Sequence, residues 1–147
     1  MSHVVVIVPG IPTAWARAGR GHGTIYTAPK HRAAMAEVVL FARRAMAGKP
    51  LMVGPLEMVV TFVFPWPKST SAKRRLMPEY ALKDTKPDSS NLLKLIEDAL
   101  EGIVYMNDSQ ISDHHVKKRY GSRPEMRVEI STLRPVNYAR SALRDAA

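Results

Sequence analysis

The chain has no cysteine. Disulfides, thiolate nucleophiles and Cys-ligated zinc or iron–sulfur centres are thereby excluded, and the absence fits a reducing cytoplasm. Nowhere does the sequence approach the roughly eighteen consecutive apolar residues of a spanning helix, so no membrane partner is expected. The Val4–Val8 run is too short, and lacks the basic flank, to read as a secretory signal. Glycines cluster after Gly10, but no Gly-Lys-Ser/Thr follows them, which removes a P-loop and a nucleotide cofactor bound that way. A Gly-x-Ser-x-Gly nucleophile elbow is also missing, and no internal repeat is visible.

Acids are scarce as well. Only 13 Asp and Glu stand against 22 Lys and Arg, giving +9 over 147 residues. A domain this basic meets a polyanion or an anionic surface, and nucleic acid is the leading partner. The hydrophobic share of 46% and charged share of 24% are those of an ordinary globular protein. One chain of this length supports one apolar core, so residues 1–147 read as a single domain.

His3–Val8 is continuous and β-branched, the pattern of a buried strand. Residues 10–28, approximately, form a basic loop carrying Arg17 and Arg20 among glycines. Pro29 suits a first helical position, Ala33–Ala47 is rich in helix formers, and Gly48 closes that helix. Leu56–Phe64 is a second strand, ended by Pro65 and Pro67. The stretch from about 66 to 87 is the least structured and is dominated by Lys68, Lys73, Arg74, Arg75, Lys83 and Lys86. Asn91–Gly102 is the clearest helix, with Leu92, Leu93, Leu95, Ile96, Ala99 and Leu100 on one side. Gln110–Tyr120 and Met126–Leu133 are strands joined through Gly121–Pro124, and the tail from about 135 to 147 is polar and expected to be mobile. The sum is an α+β domain, a mixed sheet packed with helices.

The acids that remain gather around that helix. Asp88 precedes it, Asp98 lies on its polar side, and Asp108 follows in a turn that approaches the helix if the chain folds back after Gly102. Clustered carboxylates repel unless a cation neutralises them, and hard oxygen ligands suit Mg²⁺. Such ions activate water and stabilise a leaving oxygen in phosphodiester cleavage, to which Lys94 would add positive charge. Taken singly, each residue has a plainer reading. Asp88 is equally a helix cap, Lys94 and Asp98 an i,i+4 surface pair, and Asp108 a turn former. His114 and His115 are adjacent, so on a strand they face opposite ways and share no metal. Trp15 and Trp66 lie beside basic segments, where they either stack on bases or pack under a loop.

The run Lys86-Pro87-Asp88-Ser89-Ser90-Asn91-Leu92-Leu93-Lys94, followed by Asp98-Ala99-Leu100 and Asp108-Ser109-Gln110-Ile111, resembles the RusA family of Holliday-junction resolvases of bacteria and their phages or prophages. Pro9-Gly10-Ile11-Pro12 with Arg17 and, near the end, Lys118 extend the likeness over most of the chain. The resemblance implies a RusA-like α+β fold and a cytoplasmic homodimer. It implies a Mg²⁺- or Mn²⁺-dependent endodeoxyribonuclease that nicks four-way DNA junctions symmetrically in recombination, repair or phage DNA processing. It places Asp88 and Asp108 on the metal-binding acids, Lys94 on the catalytic lysine and Asp98 on a helix acid that would join the metal shell. Arg17, Arg20, Lys73, Arg74, Arg75, Lys86 and Lys118 would contact DNA. One position departs: Ser90 stands where the family has a second acid. Either Glu97 or Asp98 completes the shell, or the protein binds junctions with weak or no cutting, or an inactivating change is present. Survival of Asp88, Lys94 and Asp108 together favours the first.

Overall fold

The computed structural model describes residues 2–15 and 29–133, together with the backbone of 19–21 and 24–26. Strand β1 (His3–Pro9) opens the chain, followed by two short strands, β2 (Gly19–Gly21) and β3 (Thr24–Tyr26), which pair antiparallel. The glycine-rich segment expected to be a loop thus contains a small ladder. Helix α1 (Pro29–Met46) starts on the proline, and strand β4 (Leu56–Pro65) ends on one. The basic connection beyond β4 is more ordered than its composition implies. It holds a single helical turn, α2 (Ala72–Arg75), capped by the Ser71 hydroxyl, and a 3₁₀ turn at Pro78–Ala81. Helix α3 (Ser89–Leu100), a 3₁₀ turn at Asp108–Gln110, and strands β5 (Ile111–Gly121) and β6 (Glu125–Thr132) complete the domain.

The main sheet has the order β1-β6-β4-β5. Strand β6 runs antiparallel to both β1 and β4, while β4 and β5 run parallel, so the sheet is mixed as expected. Although a short turn joins β5 to β6, the two do not pair; β4 lies between them. The chain therefore crosses the end of β4, and there is no room at that crossing. A Cβ added to Gly121 would lie 2.7 Å from Val63 Cγ1.

Strict alternation places Val4, Val6, Val8, Leu56, Met58, Val60, Phe62, Phe64, Met126, Val128 and Ile130 on one buried face. Against it pack Ala34, Val38, Ala42 and Met46 of α1 and Leu92, Leu95, Ile96, Ala99 and Leu100 of α3. Each fully buried Leu or Ile contributes about 1.5–3 kcal/mol, so this layer holds the domain together. The helix α3 begins two residues earlier than its apolar pattern indicates, because polar Ser89 and Ser90 already take helical geometry after Asp88. No helix among the described residues is long and apolar enough to cross a membrane.

In β5, register matters more than burial. Val60 pairs with Val116 and Phe62 with Lys118, so His114, Val116, Lys118 and Tyr120 share the helix-covered side. From there the Lys118 ammonium donates to the carbonyls of Thr85 (2.7 Å) and Pro87 (2.9 Å), fastening the connection that enters α3. Lys83 lies nearby over the rings of Phe64 and Tyr120 and bonds the Thr85 hydroxyl at 2.8 Å. Replacing Lys118 by Met keeps the stem and removes both bonds to charged nitrogen. We expect a loss of about 1–3 kcal/mol, seen as a melting temperature several degrees lower by circular dichroism. An unchanged melting temperature would show that the staple carries no stability.

Candidate active site

The candidate residues occupy the two ends of α3. At the first end, Asp88 takes the N-cap backbone conformation (φ −67°, ψ 142°), yet its carboxylate accepts no capping bond. The helix-cap reading of Asp88 is therefore not what its side chain does. Its carboxylate stands exposed to solvent, one residue beyond the Pro87 carbonyl that Lys118 holds. Ser90 is exposed in the first turn. Lys94 makes no ion pair with Asp98 among the described residues. Its ammonium sits 5.1 Å from the centre of the Trp15 ring, and the Trp15 backbone N–H donates to the Asn91 carbonyl at 2.9 Å. Trp15 thus ties the segment after β1 to this end of the helix.

At the second end the chain reverses. Gly102 takes φ +79°, a conformation costly for any side chain, and its N–H donates to the Tyr105 carbonyl at 2.7 Å. The reversal returns Tyr105 to the helix, fully buried, where its hydroxyl donates to the Glu97 carbonyl at 2.9 Å. It also brings the Asp108 turn against the helix, since the Asp108 N–H donates to the Glu101 carboxylate at 3.3 Å. The Asn107 and Gln110 side chains form a reciprocal capping box over this turn, and the Gln110 amide reaches the carbonyls of Met52 (3.1 Å) and Gly54 (3.2 Å). Gln110 is thus the clamp that fixes Asp108. Burial, and behind it the charges of Glu97, Asp108, Glu101 and Asp98, push the Tyr105 phenol well above its usual range. Glu97 is further engaged by His114 Nε2 at 2.5 Å, linking α3 to β5. His115 points to the other face, as adjacency on a strand requires.

The two ends stand apart. A helix of 12 residues is roughly 18 Å long, whereas Mg²⁺–oxygen bonds are about 2.1 Å. Asp108 is thus brought to the Glu101 end of α3, near which Asp98 also lies in the last turns, and Asp88 is at the opposite end. Among the described residues no three His, Asp or Glu side chains gather in a way that would hold a metal ion. The donor chemistry, exposed carboxylates, suits a hard cation, but one chain does not assemble Asp88, Asp98 and Asp108 around a single ion.

The basic residues divide similarly. Lys73, Arg74 and Arg75 all lie on α2 and Lys86 follows, every one exposed. Arg74 stacks over Tyr80 at 5.2 Å, and Arg75 Nε bonds the Thr70 carbonyl at 3.1 Å. Lys118 is turned inward, with two of its donors on backbone carbonyls. Arg17 lies outside the described residues, as do the Arg20 side chain and the tail expected to be mobile. Trp66 stacks on Tyr120 at 5.7 Å. Sequence reasoning passed over Tyr105, the clamping role of Gln110 and the contact between Glu97 and His114. Only Gln110 carried a signal, its place in the Asp-Ser-Gln-Ile run.

Comparison with known proteins bears on both ends of α3. A protein of Bacillus subtilis (strain 168), described as uncharacterized protein YqaN, is 38% identical to this chain over 84 residues. The match covers 54% of this chain and 59% of that protein, so the chain spans about three-fifths of the length of the curated relative it matches. The family described as endodeoxyribonuclease RusA matches residues 8–131, from the last residues of β1 into β6 and including both acidic ends. The chain belongs to the RusA endodeoxyribonuclease family.

Proposed function

We propose that the protein is a divalent-metal-dependent endonuclease that cuts four-way DNA junctions. The observation that carries this reading is Asp88. A carboxylate at a helix N-cap that declines the cap, held out to solvent by a Lys118 staple one residue away, is placed for an external cation. The family membership supplies the reaction class, and the +9 charge supports a phosphate-rich partner. Exposed Lys73, Arg74, Arg75 and Lys86 on the connection before α3 would track the backbone approaching Asp88.

The separation of Asp88 from Asp108 bears on assembly. Since a single ion cannot span α3, we propose that a second copy of the chain completes each site, with the Asp88 end of one copy meeting the Asp98–Asp108 end of the other. A twofold dimer repeats such an exchange at both sites, as two symmetric nicks require. When bound, Mg²⁺ or Mn²⁺ would activate water and offset charge on the leaving oxygen. Lys94, with its ammonium over the Trp15 ring on the exposed side of α3, would balance charge on the phosphoryl oxygens. Ser90 removes one negative charge from the first turn and leaves its place in the shell to Glu97 or Asp98 of the second copy.

Purified protein with Mg²⁺ or Mn²⁺ is expected to introduce paired nicks into a synthetic four-way junction. Asp88→Asn should reduce cleavage at least about a hundredfold. Its junction affinity should be equal or higher, because a repulsive charge is gone. Binding without cutting under either metal would instead establish a non-cutting junction-binding protein. Ser90→Asp restores a carboxylate to the first turn and should raise the cleavage rate at low Mg²⁺ concentration. A rate that stays flat or falls would show that the missing acid does not limit the reaction.

A further inference from the structure

Between Phe64 and Leu92 no residue is buried. The segment adds nothing to the core, yet its own hydrogen bonds hold it in shape. The Ser71 hydroxyl accepts from the Arg74 N–H at 3.3 Å, and the Arg75 guanidinium donates to the carbonyls of Thr70 (3.1 Å) and Pro67 (3.4 Å). Further along it is fixed to the edge of the sheet, where Leu82 bridges to Arg119 and the Lys83 N–H donates to the Lys118 carbonyl at 3.4 Å. Fixing a chain costs conformational entropy that burial normally offsets. Here the fixed chain holds large apolar side chains in water instead. Leu76, at the end of α2, is 86% exposed, and Tyr80, in the 3₁₀ turn that follows, is 41% exposed. A leucine on a loose surface loop needs no explanation. One displayed by a braced turn does.

The charge of the segment selects its partner. Lys68, Lys73, Arg74, Arg75, Lys83 and Lys86 stand there against Glu79 and Asp84. A second copy of this +9 chain would meet like charge, whereas nucleic acid brings phosphates. Phosphates account for the cations but not for the leucine, which has no complement on a sugar–phosphate backbone. Between bases it has one, since apolar side chains enter DNA as wedges at base steps. Two residues before Leu76, the Arg74 guanidinium lies over the Tyr80 ring at 5.2 Å, so a cation and an aromatic face share the same small unit. We propose that α2 and the turn after it form a wedge, with Leu76 entering the base stack at the branch point of a four-way junction while Lys73 and Arg74 hold neighbouring phosphates. Opening a stack costs least where pairing is already interrupted. The wedge therefore selects branched DNA over continuous duplex, a choice that cations alone do not make.

The proposal rests on the branched-DNA reading above, and its test is binding in EDTA, where nothing is cut. A four-way junction and a linear duplex of the same arm sequence are titrated at fixed salt. The junction carries 2-aminopurine at each position flanking the crossover in turn. Wild-type protein should bind the junction about tenfold more tightly than the duplex and raise the fluorescence about threefold at one position, as the base there loses its stacking neighbour. Leu76→Ala should lower junction affinity about fivefold and abolish the fluorescence rise. Its duplex affinity and salt dependence should stay unchanged because no charge is lost. Leu76 is exposed, so the variant should melt with the wild type. Equal binding of junction and duplex by wild-type protein would overturn the proposal, as would a junction preference or fluorescence rise retained in Leu76→Ala. A dimer that sediments as a monomer after Leu76→Ala would also overturn it, by making Leu76 a contact between copies. Cutting in Mg²⁺ is measured in parallel. A junction that is cut without any fluorescence rise removes the wedge and leaves the nuclease, whereas a rise that depends on Leu76 without cutting does the reverse.

Discussion

Burial of the Leu92, Leu95, Ile96, Ala99 and Leu100 stripe against the sheet decides everything that α3 presents to solvent. With that stripe inward, Asn91 and Lys94 are exposed, and Glu97 and Asp98 are left half-buried at its margin. The same burial fixes the direction of the helix along β5. Lys118, late in β5, reaches the entry to α3, while Asp108, just before β5, reaches the exit. Helix and strand are thus antiparallel, and the acids that precede and follow the helix are held at opposite ends by the core itself.

This constraint organises the electrostatics of a basic protein. At one end, the entry to α3 carries the exposed Asp88, with Lys94 held over Trp15 and Lys118 held by two carbonyls of the connection. At the other end, the Asp108 turn meets the Glu101 carboxylate, and the charges of Glu97, Asp98, Glu101 and Asp108 add to burial in raising the Tyr105 phenol. Gln110 and Tyr105 then serve to fix the acidic end, since each ties the Asp108 turn to a buried element, Met52 in one case and α3 in the other.

Much of the fold was legible because its period was clean. The β-branched runs at His3–Val8 and Leu56–Phe64 became β1 and β4, and the 3.6-residue stripe became α3. Strand pairing was not legible in the same way. The short turn at Gly121–Pro124 suggests a hairpin, but β4 lies between β5 and β6 and pairs its backbone with both. Short elements escaped too: α2 and the turn at Pro78–Ala81 are too brief for any periodicity, and only Ser71 and Pro78 mark them. Of the site, the acids and Lys94 could be named from their motif, but their distances could not. Separation in sequence says nothing of the length of an intervening helix laid straight between them. His114 and Glu97, 17 positions apart, meet only because β5 runs back along α3. The RusA endodeoxyribonuclease family match spans the stretch that carries the motif.

The central claim is that cutting requires the Asp88 end of one copy and the Asp108 end of another. Mixing two inactive variants tests it directly. Asp88→Asn and Asp108→Asn proteins, each unable to cut a four-way junction alone, are unfolded together, refolded and assayed with Mg²⁺ or Mn²⁺. In a mixed dimer one shared site would carry both substitutions and the other neither, so nicking activity should return to a substantial fraction of the wild-type level. If the mixture stays as inactive as either variant while mixed dimers form, each site is built within one chain, and the account given for the separation of the acids is wrong.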